Sequence, residues 1–162
     1  AASFHTKTNN IIVVKPAREE LGFVGIPKNI NDDLIQSALN ENKIPIIAPL
    51  GLDKHNQTYN INGDTAAGAV AKSLKSRRLL LMTNVEGVLN KEKKLIEEIS
   101  SLEILQMIEN QIITEGMIPK INTCLDAVNN GVTAVGIIDG RKQHSILFEI
   151  FSDKGSGTLI RK

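Results

Sequence analysis

Three stretches of the chain gather the residue types that hold anions and small ligands. They are Tyr59-Asn60-Ile61-Asn62-Gly63-Asp64-Thr65-Ala66-Ala67, Thr83-Asn84-Val85-Glu86-Gly87-Val88-Leu89 and Thr114-Glu115-Gly116-Met117-Ile118-Pro119-Lys120. Each lies at a strand-to-helix junction dense in small polar residues. In open α/β sheets ligands bind at such junctions, because helix N-termini and loop amides converge there. Each stretch also has a plainer reading: Asn62 as a helix N-cap, the second stretch as a turn after a buried strand, and the third as a glycine-containing helix entry with Lys120 solvated. Taken singly, none of the three decides between ligand site and local structure.

Other chemistries find no support in the sequence. No GxxxxGK[ST] loop occurs, no GxGxxG follows a strand, and there is no GxSxG elbow. His5, His55 and His144 lie far apart without metal-ligand spacing, and the single cysteine, Cys124, has neither a second cysteine nor an identifiable base. One cysteine excludes an internal disulfide framework and suits a reducing, cytoplasmic compartment. The 19 basic and 18 acidic residues are spread along the chain and leave no basic stripe for a nucleic-acid backbone. The apolar runs at 44–52 and 79–82 are far short of a membrane span.

The elements that must position these junctions alternate short Ile/Val/Leu runs with longer helical periodicities. That is the pattern of an α/β domain on a largely parallel sheet. Strands are expected at 10–14, 44–48, around Tyr59, and at 78–83, 132–138 and 157–160, with Pro16 ending the first. Helices are expected at 32–43, with Asn31 as N-cap, and at 62–74, with Asp64 in the first turn where the helix dipole favours an anion. Ser100 and Glu103 form a capping box for a helix to about Asn110, and further helices are expected at 120–130 and 144–151. With 162 residues, 41% hydrophobic and 23% charged, a single globular domain over 1–162 is the economical reading.

In this order and combination the three junctions resemble the amino-acid kinase superfamily, and Tyr59-Asn60-Ile61-Asn62-Gly63-Asp64 in particular resembles its acetylglutamate kinase family. The segments Leu21-Gly22-Phe23-Val24-Gly25, Asp139-Gly140-Arg141 and Gly155-Ser156-Gly157-Thr158 are similar to that family's signatures as well. The resemblance implies an αβα sandwich with a mainly parallel central sheet, the carbamate kinase-like fold. It also implies transfer of the ATP γ-phosphoryl group to the side-chain carboxylate of N-acetyl-L-glutamate, a step of arginine biosynthesis.

By the same resemblance, Lys120 stabilises the transferring charge and Asp64 organises the cations around it. Asn60 and Asn62 lie by the acetylglutamate, while Asn84, Val85, Glu86, Gly87, Val88, Leu89, Ile112, Ile113, Thr114 and Met117 hold the adenine and ribose, with Mg2+ bridging phosphate oxygens. Two features depart from the family pattern. Asn84 stands where the family usually has aspartate. The family's lysine and glycine-rich phosphate loops, and an arginine for the substrate carboxylate, have no counterpart here. The expectation is therefore a C-terminal nucleotide-binding portion, completed by an N-terminal half or a second chain, prone to homo-oligomerise, and binding nucleotide weakly by itself.

Overall fold

The computed structural model describes residues 2–4, 10–113, 115–152 and 155–162. His5 and Thr114 thus lie outside the described residues. The chain divides into two compact units, 1–74 and 75–162.

In the first unit the strands are β1 (Ala2–Phe4), β2 (Ile12–Pro16), β3 (Gly25–Ile30), β4 (Pro45–Ile47), β5 (Leu50–Leu52) and β6 (Thr58–Asn60), and the helices are α1 (Asp32–Asn40) and α2 (Gly63–Ser73). A four-stranded sheet runs in the order β3-β2-β5-β6, and β1 pairs parallel with β4. β2 and β3 form an antiparallel pair, as do β5 and β6, whereas β2 meets β5 in parallel. The core is aliphatic: Ile11, Ile12, Val14, Ile30, Ile35 and Ile61 close over Ala66 of α2. Ser73 at the end of α2 donates to the Asp32 carboxylate at the start of α1, 3.1 Å away. That hydrogen bond links the two helices.

The second unit holds β7 (Arg78–Thr83), β8 (Glu98–Ser100), α3 (Ser101–Glu109), α4 (Ile118–Asn129), β9 (Ala134–Asp139), α5 (Ser145–Phe151) and β10 (Gly157–Arg161). Its sheet runs β7-β9-β10-β8, with β7 parallel to β9, β10 antiparallel to β9, and β8 parallel to β10. Every residue of β9 is buried, as a strand covered on both faces must be. On one of those faces α5 comes close. A methyl group on Gly136 would stand 2.8 Å from the Leu80 side chain and 3.4 Å from the Glu149 carboxylate. Glu149 itself is 7% exposed; it faces Arg78 at 3.8 Å and accepts from the Ser156 amide at 2.8 Å.

The α/β class is as expected, and the sheets are mixed. β3 went unforeseen because Pro27 and the polar Lys28-Asn29 pair interrupt its apolar pattern, and β5 because Gly51 and Asp53 read as a turn. β2 extends through Pro16, which pairs with Gly25 as its terminal residue. α1 stops three residues before the expected end, since Asn42 takes a left-handed conformation (φ 55°) and the Lys43 amide turns back to Ala38. α4 starts two residues early, with Pro119 in its first turn, where a missing N–H costs nothing.

Candidate functional site

The loop after β7 builds one wall of an apolar cleft. At its base the Thr83 carbonyl accepts from the Gly140 amide at 2.7 Å, tying the ends of β7 and β9 together. Gly87 is buried with φ 147°, and a Cβ there would lie 2.5 Å from the Thr158 hydroxyl and 2.7 Å from the Leu95 side chain. Only glycine fits that position. The Val88 amide donates to Thr158 Oγ1 at 2.8 Å, and the same hydroxyl donates to the Ile96 carbonyl at 2.7 Å. Ile96 returns a bond from its own amide to the Val88 carbonyl at 2.9 Å.

The opposite wall comes from the segment after α3, where the Ile112 amide reaches back to Met107. Val85, Gly87, Val88, Leu89, Ile112, Ile113 and Met117 enclose about 230 Å³. Seven of the ten expected nucleotide residues therefore meet in one place. Asn84 and Glu86 do not line it. Asn84 is exposed and its side-chain oxygen accepts from Thr83 Oγ1 at 3.5 Å, while Glu86 turns toward Lys142, 3.9 Å away. Thr114 lies outside the described residues.

Lys120 is the third residue of α4 and is half-buried. It follows cleft-lining Met117 by three residues, the spacing that brings side chains onto one face of a helix. Lys120 therefore lies within about one helical turn of Met117 along the chain. Met117, the N-cap of α4, makes no side-chain capping bond.

In the first unit, Asn60 ends β6 with an exposed side chain, and its amide donates to the Phe23 carbonyl at 2.8 Å. Asn62 is the N-cap of α2: its Oδ1 accepts from the Thr65 amide at 3.2 Å and from Thr65 Oγ1 at 3.4 Å. The plainer reading of Asn62 therefore holds for its oxygen, which leaves the amide nitrogen as the group able to meet a ligand. Asp64 is half-buried in the first turn of α2, where the partial positive charge of the helix favours its carboxylate. Asn60, Asn62 and Asp64 belong to the first unit, and Lys120 and the cleft to the second.

Two further buried groups of the second unit carry no role predicted from the sequence. One is Thr158. The other is Asp139, 2% exposed, which takes a two-pronged bond from Arg141 at 2.9 Å on each oxygen and a third from the Arg141 amide. The Arg141 side-chain bond, followed by its backbone N–H, holds the Asp139 carboxyl down at about 2, and the same pairing raises the guanidinium. The signal was an acid two residues before an arginine at the end of an apolar strand.

Residues 1–139 match the model of the amino acid kinase family, and the chain belongs to that family. Its relatives narrow the comparison. Over 157 residues it is 58% identical to the acetylglutamate kinase of Pelagibacter ubique (strain HTCC1062), covering 97% of this chain and 54% of that protein. Over 158 residues it is 51% identical to the acetylglutamate kinase of Clostridioides difficile (strain 630), covering 95% of this chain and 55% of that protein. The chain thus spans about half the length of the curated relatives it matches. Among solved structures, N-acetylglutamate synthase from Neisseria gonorrhoeae, complexed with coenzyme A and N-acetyl-glutamate, superimposes with a TM-score of 0.88 at 25% identity, over 95% of this chain and 37% of that one.

Proposed function

We propose that the chain carries the nucleotide cleft and the phosphoryl-transfer residues of an acetylglutamate kinase. A side-chain carboxylate oxygen of N-acetyl-L-glutamate attacks the γ-phosphorus of ATP, the bond to the β,γ-bridging oxygen breaks, and an acyl phosphate and ADP result. No proton needs to move, because the nucleophile is already a carboxylate. Such a transfer depends on positioning and charge rather than on covalent catalysis. The observation that carries the reading is the convergence of Val85, Gly87, Val88, Leu89, Ile112, Ile113 and Met117 on one apolar cleft of about 230 Å³, with Lys120 a helical turn beyond Met117. An apolar cleft of this size suits a purine ring.

In this reading Lys120 meets the negative charge that builds on the transferring group and leaving oxygen. Asp64, in the first turn of α2, orients the cationic groups around the phosphates, and Asn60 and the Asn62 amide nitrogen donate to the acyl amino acid. No group of three or more His, Cys, Asp or Glu side chains among the described residues could hold a metal ion. In this reading magnesium enters as part of the nucleotide, neutralising its phosphate oxygens, and no step is assigned to it. Because the matched relatives are about twice as long, we assign the remaining contacts to the acyl amino acid to sequence beyond these residues or to a second chain.

A second reading, a domain of this fold without phosphotransfer, draws on the likeness to a protein named as a synthase. Trapping the acyl phosphate as its hydroxamate separates the two. In a full-length enzyme carrying this segment, N-acetylglutamate gives hydroxamate while aspartate and carbamate do not. Lys120→Ala lowers the rate about a hundred- to a thousandfold. Turnover unchanged by Lys120→Ala would remove the assignment.

A further inference from the structure

We propose that Thr158 is a positioning residue of the nucleotide cleft: its buried hydroxyl holds the Val88 amide, and with it the wall at 87–89, in the conformation that accepts the base. The inference rests on the nucleotide reading above and adds to it a residue from the far end of the chain. Thr158 lies on β10 opposite Ile137 of β9, in the best-buried part of the sheet, and is 1% exposed. A hydroxyl so placed must use its hydrogen and at least one lone pair within the protein. It does both, donating to the Ile96 carbonyl at 2.7 Å and accepting from the Val88 amide at 2.8 Å.

The two partners flank the hairpin that follows the cleft wall. Leu89 pairs with Leu95 across it, and the Ile96 amide closes the ladder on the Val88 carbonyl at 2.9 Å. Immediately before Val88, Gly87 runs so near the hydroxyl that a single added carbon would lie 2.5 Å from it. One oxygen atom therefore sets both how close the wall approaches the sheet and which way the Val88 amide points. The β7 and β9 ends fix the base of the loop through Thr83 and Gly140, but they do not reach 87–89. Thr158 supplies the second anchor.

Valine keeps the shape of threonine and removes the hydroxyl, leaving the Val88 N–H and the Ile96 carbonyl without their partner in a dry interior. Serine keeps the oxygen. The test uses the full chain and MgATP, with calorimetric affinity and hydrogen exchange at the Val88 amide as readouts. We expect Thr158→Val to weaken MgATP roughly tenfold and speed Val88 exchange, and Thr158→Ser to restore affinity to within about threefold. A folded Thr158→Val chain that binds MgATP like wild type, or a Thr158→Ser chain no better than Thr158→Val, overturns the proposal.

Exchange in the unliganded chain keeps the two levels apart. If wild type does not bind MgATP the nucleotide reading fails, and the cleft role of Thr158 fails with it, even where Val88 exchange shows the tether itself. If Thr158→Val does not fold, the wild-type chain decides. A Val88 amide better protected than that of Glu86, and slowed further by MgATP, supports the proposal, and one exchanging as fast as Glu86 overturns it.

Discussion

At the residue scale, Asn62 has a structural role in its oxygen, and the proposed function gives its nitrogen a second one toward the ligand. Its oxygen caps α2 through the Thr65 amide, so Asn62→Ala should cost about 1 kcal/mol of stability by thermal or urea unfolding. Asn62→Asp keeps the cap and should be near neutral in the same experiment, while it replaces with a charge the amide nitrogen that the proposed function turns toward an anionic substrate. If both variants lose the same stability, the capping assignment fails. Asp139 makes a prediction in pH. Its carboxyl is held at about 2 in the folded chain by Arg141, against about 3.9 for a free aspartate. The folded value is the lower one, so the pair stabilises the fold above the unfolded pKa and that contribution disappears as pH falls through the folded one. Arg141→Met should therefore flatten the loss of stability between about pH 4 and pH 2, measured by unfolding at a series of pH values. An unchanged slope would show that the pairing does not hold in solution.

At the element scale, what was legible in the sequence depended on whether a signal was local. The capping box of Ser100 and Glu103 is written in two residues, and both of its bonds are present, the Ser100 amide meeting the Glu103 carboxylate at 2.8 Å. Ser100→Ala should cost about 1 kcal/mol and raise amide exchange in the first turn of α3. β7 was readable to the residue because its apolar run is uninterrupted. β3 and β5 were not, since antiparallel pairing with the neighbouring strands β2 and β6, rather than their own composition, makes them strands. The cleft divides in the same way. Five of its lining residues fall in two junctions that the sequence marks, with Ile112 and Ile113 just before the second of them, whereas Thr158 is separated from Val88 by 70 positions and stands out only as part of the Gly155-Ser156-Gly157-Thr158 segment. Nothing local records a hydrogen bond across that distance.

For the whole molecule, the balance of 19 basic and 18 acidic residues leaves a net charge of +1. Retention on duplex DNA at 0.15 M salt should accordingly be undetectable, since such binding needs several basic side chains on one face. No helix among the described residues is long and apolar enough to cross a membrane. The family match runs over residues 1–139 and so includes the first compact unit, which carries Asn60, Asn62 and Asp64, and the part of the second that carries the cleft and Lys120. Isothermal titration of the chain with MgATP, with Lys120→Ala as the control, asks whether the second unit's cleft takes the adenine nucleotide. Saturable one-site binding that weakens in Lys120→Ala is the predicted result. A folded chain that gives no binding heat with MgATP, and no change in exchange at Val85, Val88 or Leu89, would contradict it.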